Sequence, residues 1–213
     1  MGTTGADAPP ARGAARPRNR RGQGGNLRTD ILAAATDLLD RGDQRAVTLR
    51  AVARRAGISA PSIYPHFPGR SAIVLAVVHE AFLELNGLLR SAVDDAHDAD
   101  RRLYAACLAY LDYAAAHPER YRAMFGELPA GQGVSSPGAG TLRILADTLA
   151  QCVTAGQSTS TDPRSDAIAL WLGLHGLAHQ RAIAHAFPWP ADLVRPFVAS
   201  LSRLGRPGAT ALP

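Results

Sequence analysis

A chain of 213 residues, 46% of them hydrophobic, can bury one sizeable core or carry a small domain fused to a larger one. Its best apolar run, Ala72 to Val78, is far shorter than the ~18 residues a membrane span needs, and the N-terminal arginines precede no apolar stretch of the kind a secretory signal requires. Charge is uneven: residues 11–70 hold twelve arginines against four aspartates, a net of +8, while residues 71–213 carry a net of −2, which points to nucleic acid as a partner before membrane.

In chain order, residues 1–25 are rich in Gly, Ala, Pro and Arg with no hydrophobic period, so a basic arm that is disordered alone is expected. Two readings stand for it: a solvated tail, or an arm that orders against a DNA groove or phosphates. After Asn26, a candidate N-cap, apolar residues recur at Ile31, Ala35, Leu38 and Leu39 and stop at Gly42, the spacing of a first helix. Thr48 is placed to cap a second, with Leu49, Val52, Ala53 and Ala56 inward and Arg50, Arg54 and Arg55 outward. Gly57 can take the left-handed conformation that ends it. Ser59 then caps a short third helix in which Pro61 is tolerated in the first turn. Two helices joined by a short glycine-containing turn make a helix-turn-helix.

Pro68 and Gly69 break the chain before a long helix over about 70–96, ~40 Å at 1.5 Å per residue and long enough to join two subdomains. Further helices are expected over about 101–116, 119–126, 139–155, 164–186 and 191–204, and Gly173 and Gly176 are placed to let helices approach closely. No segment alternates as a strand does. The expected fold is all-α. A helix-turn-helix domain over 26–72 is joined by the long helix to a helical bundle over 73–206, and a tail occupies 207–213.

The run "AVARRAGISAPSIYPHFPGR" (51–70) resembles the DNA-binding domain of the tetracycline-repressor-like (TetR) family, and the likeness extends from Leu27 to Phe82. Its most specific elements are Thr48 opening the second helix, the Ala53/Gly57 pair, and Tyr64, His66 and Phe67. "WLGLHGL" (171–177) and "AHPERYRAMF" (116–125) resemble one group of this family's ligand-binding domains with a Trp-x-x-x-His-Gly signature. Pro65 stands where a bulkier residue is common, so no base preference is carried over.

The resemblance implies a ligand-released repressor, acting as a homodimer on a near-palindromic operator in double-stranded DNA. Cys107 and Cys152, in helix-like contexts with no ligand spacing, lead to the expectation of a cytoplasmic protein with free thiols, and no cofactor and no membrane partner is expected. Thr48, Arg50, Ser59, Ala60, Pro61, Ser62, Tyr64, His66 and Arg70 are the expected DNA-facing residues. Ala60 and Pro61 keep the front edge slim for a major groove, Ser62 offers a hydroxyl, and Tyr64, His66 and Arg70 reach backbone phosphates. Tyr110, Tyr113, Met124, Phe125, Trp171 and His175 are expected to line an effector chamber, apolar with a few polar tips. The last two long helices are expected to pair between protomers through Ile168, Leu172 and Ile183, then Leu193, Val194, Phe197 and Leu201.

Three rival readings are weaker. His175 and His179 are four apart, but Gly176 stands where a zincin glutamate would, so neither metal nor enzyme chemistry is expected. Cys107 and Cys152 would serve a redox sensor, yet nothing basic adjoins either. An architectural DNA binder has little use for the large second domain.

Overall fold

A computed structural model describes residues 24–126, 138–184 and 186–205. Nearly all of the expected basic arm and the whole of the tail lie outside these residues. Among them the chain forms eight α-helices and no strand.

Helix α1 (Gly24–Arg41) buries Ile31, Ala34, Ala35 and Leu39. Its backbone is already helical two residues before Asn26, so Asn26 does not cap it. Helix α2 (Leu49–Ala56) starts as expected: the Ala51 N–H donates to Thr48 Oγ1 at 3.2 Å. It stops at Gly57, whose φ of 69° is the left-handed region a side chain would strain. There the Ile58 N–H reaches the Ala53 carbonyl at 2.9 Å and the Gly57 N–H reaches that of Arg54 at 3.3 Å, the paired bonds of a Schellman cap.

The third element differs from expectation. Ala60–Ile63 is a single 3₁₀ turn continued by turns at 64–66, not an α-helix. Pro61 and Pro65 stand four apart, so residue 65 has no N–H for an α-type bond to the Pro61 carbonyl. The chain uses the tighter bonds instead, Ser62 N–H to Ser59 O at 3.0 Å and Tyr64 N–H to Pro61 O at 3.3 Å. Ser59 occupies the N-cap position without capping: its Oγ shares a 2.7 Å hydrogen bond with Ser62 Oγ.

Helix α3 (Arg70–Asp94) is the long connector. By length and composition it could cross a membrane, yet half of its apolar window is buried against neighbouring helices, as in a core helix. Around it pack α4 (Ala99–Ala116), α5 (Pro118–Phe125) and α6 (Ala139–Thr154), and α7 (Pro163–Ile183) packs in turn on α4 and α6. One continuous apolar core runs from Ile31 and Val52 through Phe82 and Leu85 to Leu145, Leu170 and Leu174. Helix α5 also touches α1, so the two ends of this core meet at a second place besides α3.

Helix α8 (Val194–Leu201) is shorter than its expected 191–204. Past Leu201 the chain is drawn aside: Ser158 Oγ donates to the Ser202 carbonyl at 2.8 Å, Arg203 adopts a φ of 50°, and Leu204 bridges Ser158. Gly173 lets α7 and α8 close up, since a Cβ there would lie 2.6 Å from Leu201 Cδ1 and 2.7 Å from Phe197 Cζ. Gly176 faces open space, so its expected part in that approach is corrected.

Candidate nucleic-acid interface and effector cluster

The tight turn exposes one face and anchors the other. Ile63 and Phe67 are buried, and the Arg28 guanidinium lies 4.8 Å above the Phe67 ring, closing that anchor from α1. Outward stand Thr48, Ser59, Pro61 and Tyr64, the last 57% exposed, with Ala60, Ser62 and His66 half-buried beside them. Tyr64 is therefore not a core residue. On α2, Arg50 and Arg54 reach solvent with no carboxylate partner among the described residues. Arg55 is committed to Asp37 of α1 at 2.6 Å, and Arg41 meets the same carboxylate at 2.9 Å. Those bonds, that of Arg55 foremost, hold the Asp37 carboxyl below its ordinary range.

Arg70, expected at a phosphate, is also held within the chain. Its Nε donates to the Val47 carbonyl at 2.7 Å and its Nη2 to that of Gln44, so two arms of the guanidinium turn into the loop that precedes α2. Arg70 thereby positions α2 against α3.

Of the six residues expected at an effector chamber, Phe125, Trp171 and His175 stack together. Their ring centroids lie 6.1 Å (Phe125–Trp171) and 4.5 Å (Phe125–His175) apart. Tyr121, absent from the sequence-derived set, is the hub. Its hydroxyl bonds Tyr110 at 2.8 Å and His175 Nδ1 at 2.7 Å, and its ring lies 4.8 Å from that of Phe125. A signal for it existed, since Tyr121, Met124 and Phe125 share one helical face by their offsets of three and four.

Burial pushes both phenols up, Tyr110 to about 12 and Tyr121 further, so both remain protonated. Burial, with His179 nearby, lowers His175 below its ordinary value, favouring the neutral ring. The Tyr110 and Tyr121 hydroxyls thus share one hydrogen bond, and Tyr121 shares a second with Nδ1 of the neutral His175 ring. The Trp171 indole N–H is buried and comes near the Tyr110 hydroxyl without hydrogen-bond geometry.

Tyr113 is not brought into this cluster. Its hydroxyl donates to the Ala81 carbonyl at 3.3 Å and faces Glu84. Met124 is buried on α5. A cavity of about 460 Å³ lies between Leu111, Arg122, Ala178 and Arg181. His175 Nδ1 is engaged by Tyr121, and no three His, Cys, Asp or Glu side chains among the described residues gather as a metal set. Cys107 and Cys152 are buried, which raises both thiols, Cys152 to about 11; neither ionises near neutral pH, contrary to what a redox sensor needs.

The chain thus joins a helix-turn-helix whose turn faces solvent to a helical second domain through one long helix, the layout that leaves such a motif free to meet a DNA groove. A family model described as "Bacterial regulatory proteins, tetR family" matches residues 31–77, and one described as "Tetracyclin repressor-like, C-terminal domain" matches residues 103–204. The chain belongs to the tetR family. It is 32% identical over 120 residues to the HTH-type transcriptional activator FasR of Mycolicibacterium smegmatis; the match covers 54% of each, so the chain spans about half the length of that relative. A protein with unknown function from Rhodococcus sp. RHA1 superposes with a TM-score of 0.73 at 28% identity, over 86% of this chain and 95% of that one. The fatty acid degradation regulator FadR from Bacillus halodurans gives 0.70 at 16% identity, over 92% and 100%, a likeness of fold.

Proposed function

We propose that the protein is a cytoplasmic, ligand-released repressor that binds a near-palindromic operator as a homodimer. One observation carries the DNA-binding part: the turn at 59–64 is held from behind by Ile63 and Phe67 and flanked by Arg50 and Arg54, free to meet phosphates. Ser59, Ala60, Pro61, Ser62 and Tyr64 are assigned to the groove, with Thr48 and His66 at its edges. The aromatic cluster supports an effector with an apolar body and a polar group that competes for the Tyr110–Tyr121–His175 hydrogen bonds.

Ile168, Leu172 and Ile183 of α7 stay exposed in the single chain, at 39%, 58% and 61%, and supply the surface for the second copy. A Leu172→Glu variant should sediment as a monomer at concentrations where the wild type is a dimer. An unchanged mass would remove α7 from the interface.

The test of function is selection of a duplex from a random-sequence pool by the full-length protein, followed by transcription from a promoter carrying that duplex. A palindromic consensus and reduced transcription are expected, and no enriched sequence would overturn the proposal. FasR is an activator by name, which favours a second reading in which the same contacts recruit polymerase; increased transcription would select it.

A further inference from the structure

Helix α5 carries two adjacent residues that grip different parts of the molecule. Arg120 forks onto Asp40 of α1, Nε to Oδ1 at 2.7 Å and Nη2 to Oδ2 at 2.6 Å, and sends Nη1 to Glu84 of α3 at 2.8 Å. Its next neighbour, Tyr121, is the hub of the hydrogen-bonded chain between Tyr110 and His175. Four residues on, Phe125 packs on Phe82, Trp171 and His175. Asp40 lies in the last turn of α1, inside the segment that supports the DNA-facing turn.

A two-point fork between guanidinium and carboxylate is directional and strong, and this one is largely shielded, with the Arg120 side chain only 17% exposed. Arg120 and Tyr121 are consecutive on one eight-residue helix, so a displacement of α5 at one is passed to the other. A shift of about 1 Å at Tyr121 is enough to take a 2.6–2.7 Å fork out of hydrogen-bond range at Arg120. Such a contact is made or broken, not graded, which is what a switch element requires.

We infer that α5 is a coupling element in which Arg120, by holding Asp40, reports the state of the Tyr121 cluster to the DNA-binding domain in parallel with α3. The inference rests on the reading of the cluster as the effector site, although the link itself is a property of the folded chain. Arg120 is a positioning residue here and touches neither DNA nor effector.

The experiment is a mutant cycle on the full-length protein, read by amide hydrogen exchange in the α1 peptide that contains Asp40. Tyr121→Phe cuts the hydrogen-bonded chain while keeping the ring. It should speed α1 exchange by about threefold or more in the wild-type background and leave it unchanged when Arg120 is already Gln. Asp40→Asn takes the place of Arg120→Gln should the latter fail to fold. No effect of Tyr121→Phe on α1, or equal effects in both backgrounds, overturns the link. A second arm repeats the cycle with a fluorescein-labelled duplex selected from a random pool by the wild type, where Tyr121→Phe should change Kd only while Arg120 and Asp40 are paired. Failure to select any duplex would refute the DNA-binding reading and leave the exchange cycle to decide the link.

Discussion

The Arg70 guanidinium donates to the main-chain carbonyl of Val47 at 2.7 Å, fastening the first turn of α3 to the loop that delivers α2. Because the same side chain also bonds the Gln44 carbonyl, Arg70→Ala leaves two half-buried acceptors short of a donor. A loss of about 2 kcal/mol is expected in denaturant unfolding, with Arg70→Lys recovering only part because an ammonium lacks the fork. Unchanged stability with weakened DNA binding would return Arg70 to the phosphates.

Arg50 and Arg54 make the opposite case. Alanine at either should flatten the slope of log affinity against log salt by about one, and stability should stay within about 0.5 kcal/mol. Arg55→Ala, whose guanidinium is held by Asp37, should flatten it less. Equal slopes for all three variants would mean that pairing in the free protein does not select the contacts.

Gly173 and Gly176 test the α7–α8 contact by contrast. Gly173→Ala sets a Cβ 2.6 Å from Leu201 Cδ1 and 2.7 Å from Phe197 Cζ, so both tips must shift and the variant should fall below Gly176→Ala in stability. Gly176→Ala meets nothing within 4 Å and should raise the unfolding free energy by up to the ~1 kcal/mol gained in helix propensity. A loss at Gly176 would instead place that position against a second copy.

The depressed His175 gives a pH dependence of fixed sign. An unfolded chain takes up the imidazole proton near 6.5, whereas the folded protein refuses it until lower pH. Across that window the unfolded state binds more protons, so stability falls as pH drops below 6.5 and levels off beneath the folded pKa. His175→Gln should remove this component, and the difference between the two unfolding profiles isolates it. Parallel profiles from pH 7.5 to 5 would show that His175 titrates normally.

Helix positions were legible in the sequence wherever an apolar period met a stop signal, as with Gly57 after α2 or Pro118 at the start of α5. The ends of α8 were not, because what turns the chain aside there is Ser158, remote in sequence. Tyr110, Phe125, Trp171 and His175 could be grouped by side-chain type. Tyr113 could not be told from them, since its different destination depends on how α4 is rotated against α3. The Arg120–Asp40 fork joins residues eighty positions apart and leaves no local signature. The 3₁₀ turn was readable in principle from Pro65, which removes the N–H that an α-helix would direct to the Pro61 carbonyl, whereas Pro61 lies in the first turn and costs no bond.

On α7, Leu172 looks into solvent, Gly173 meets α8, Leu174 is fully enclosed, and His175 joins the aromatic rings. Four successive residues thus address four surroundings. Removing a single residue upstream of Leu172 would rotate everything after it by about 100°, pushing a bulky side chain toward α8 and an imidazole into the interior at once. Length changes in this chain should therefore be tolerated in the connections between helices and rejected inside α7, where one misstep exchanges every neighbourhood simultaneously.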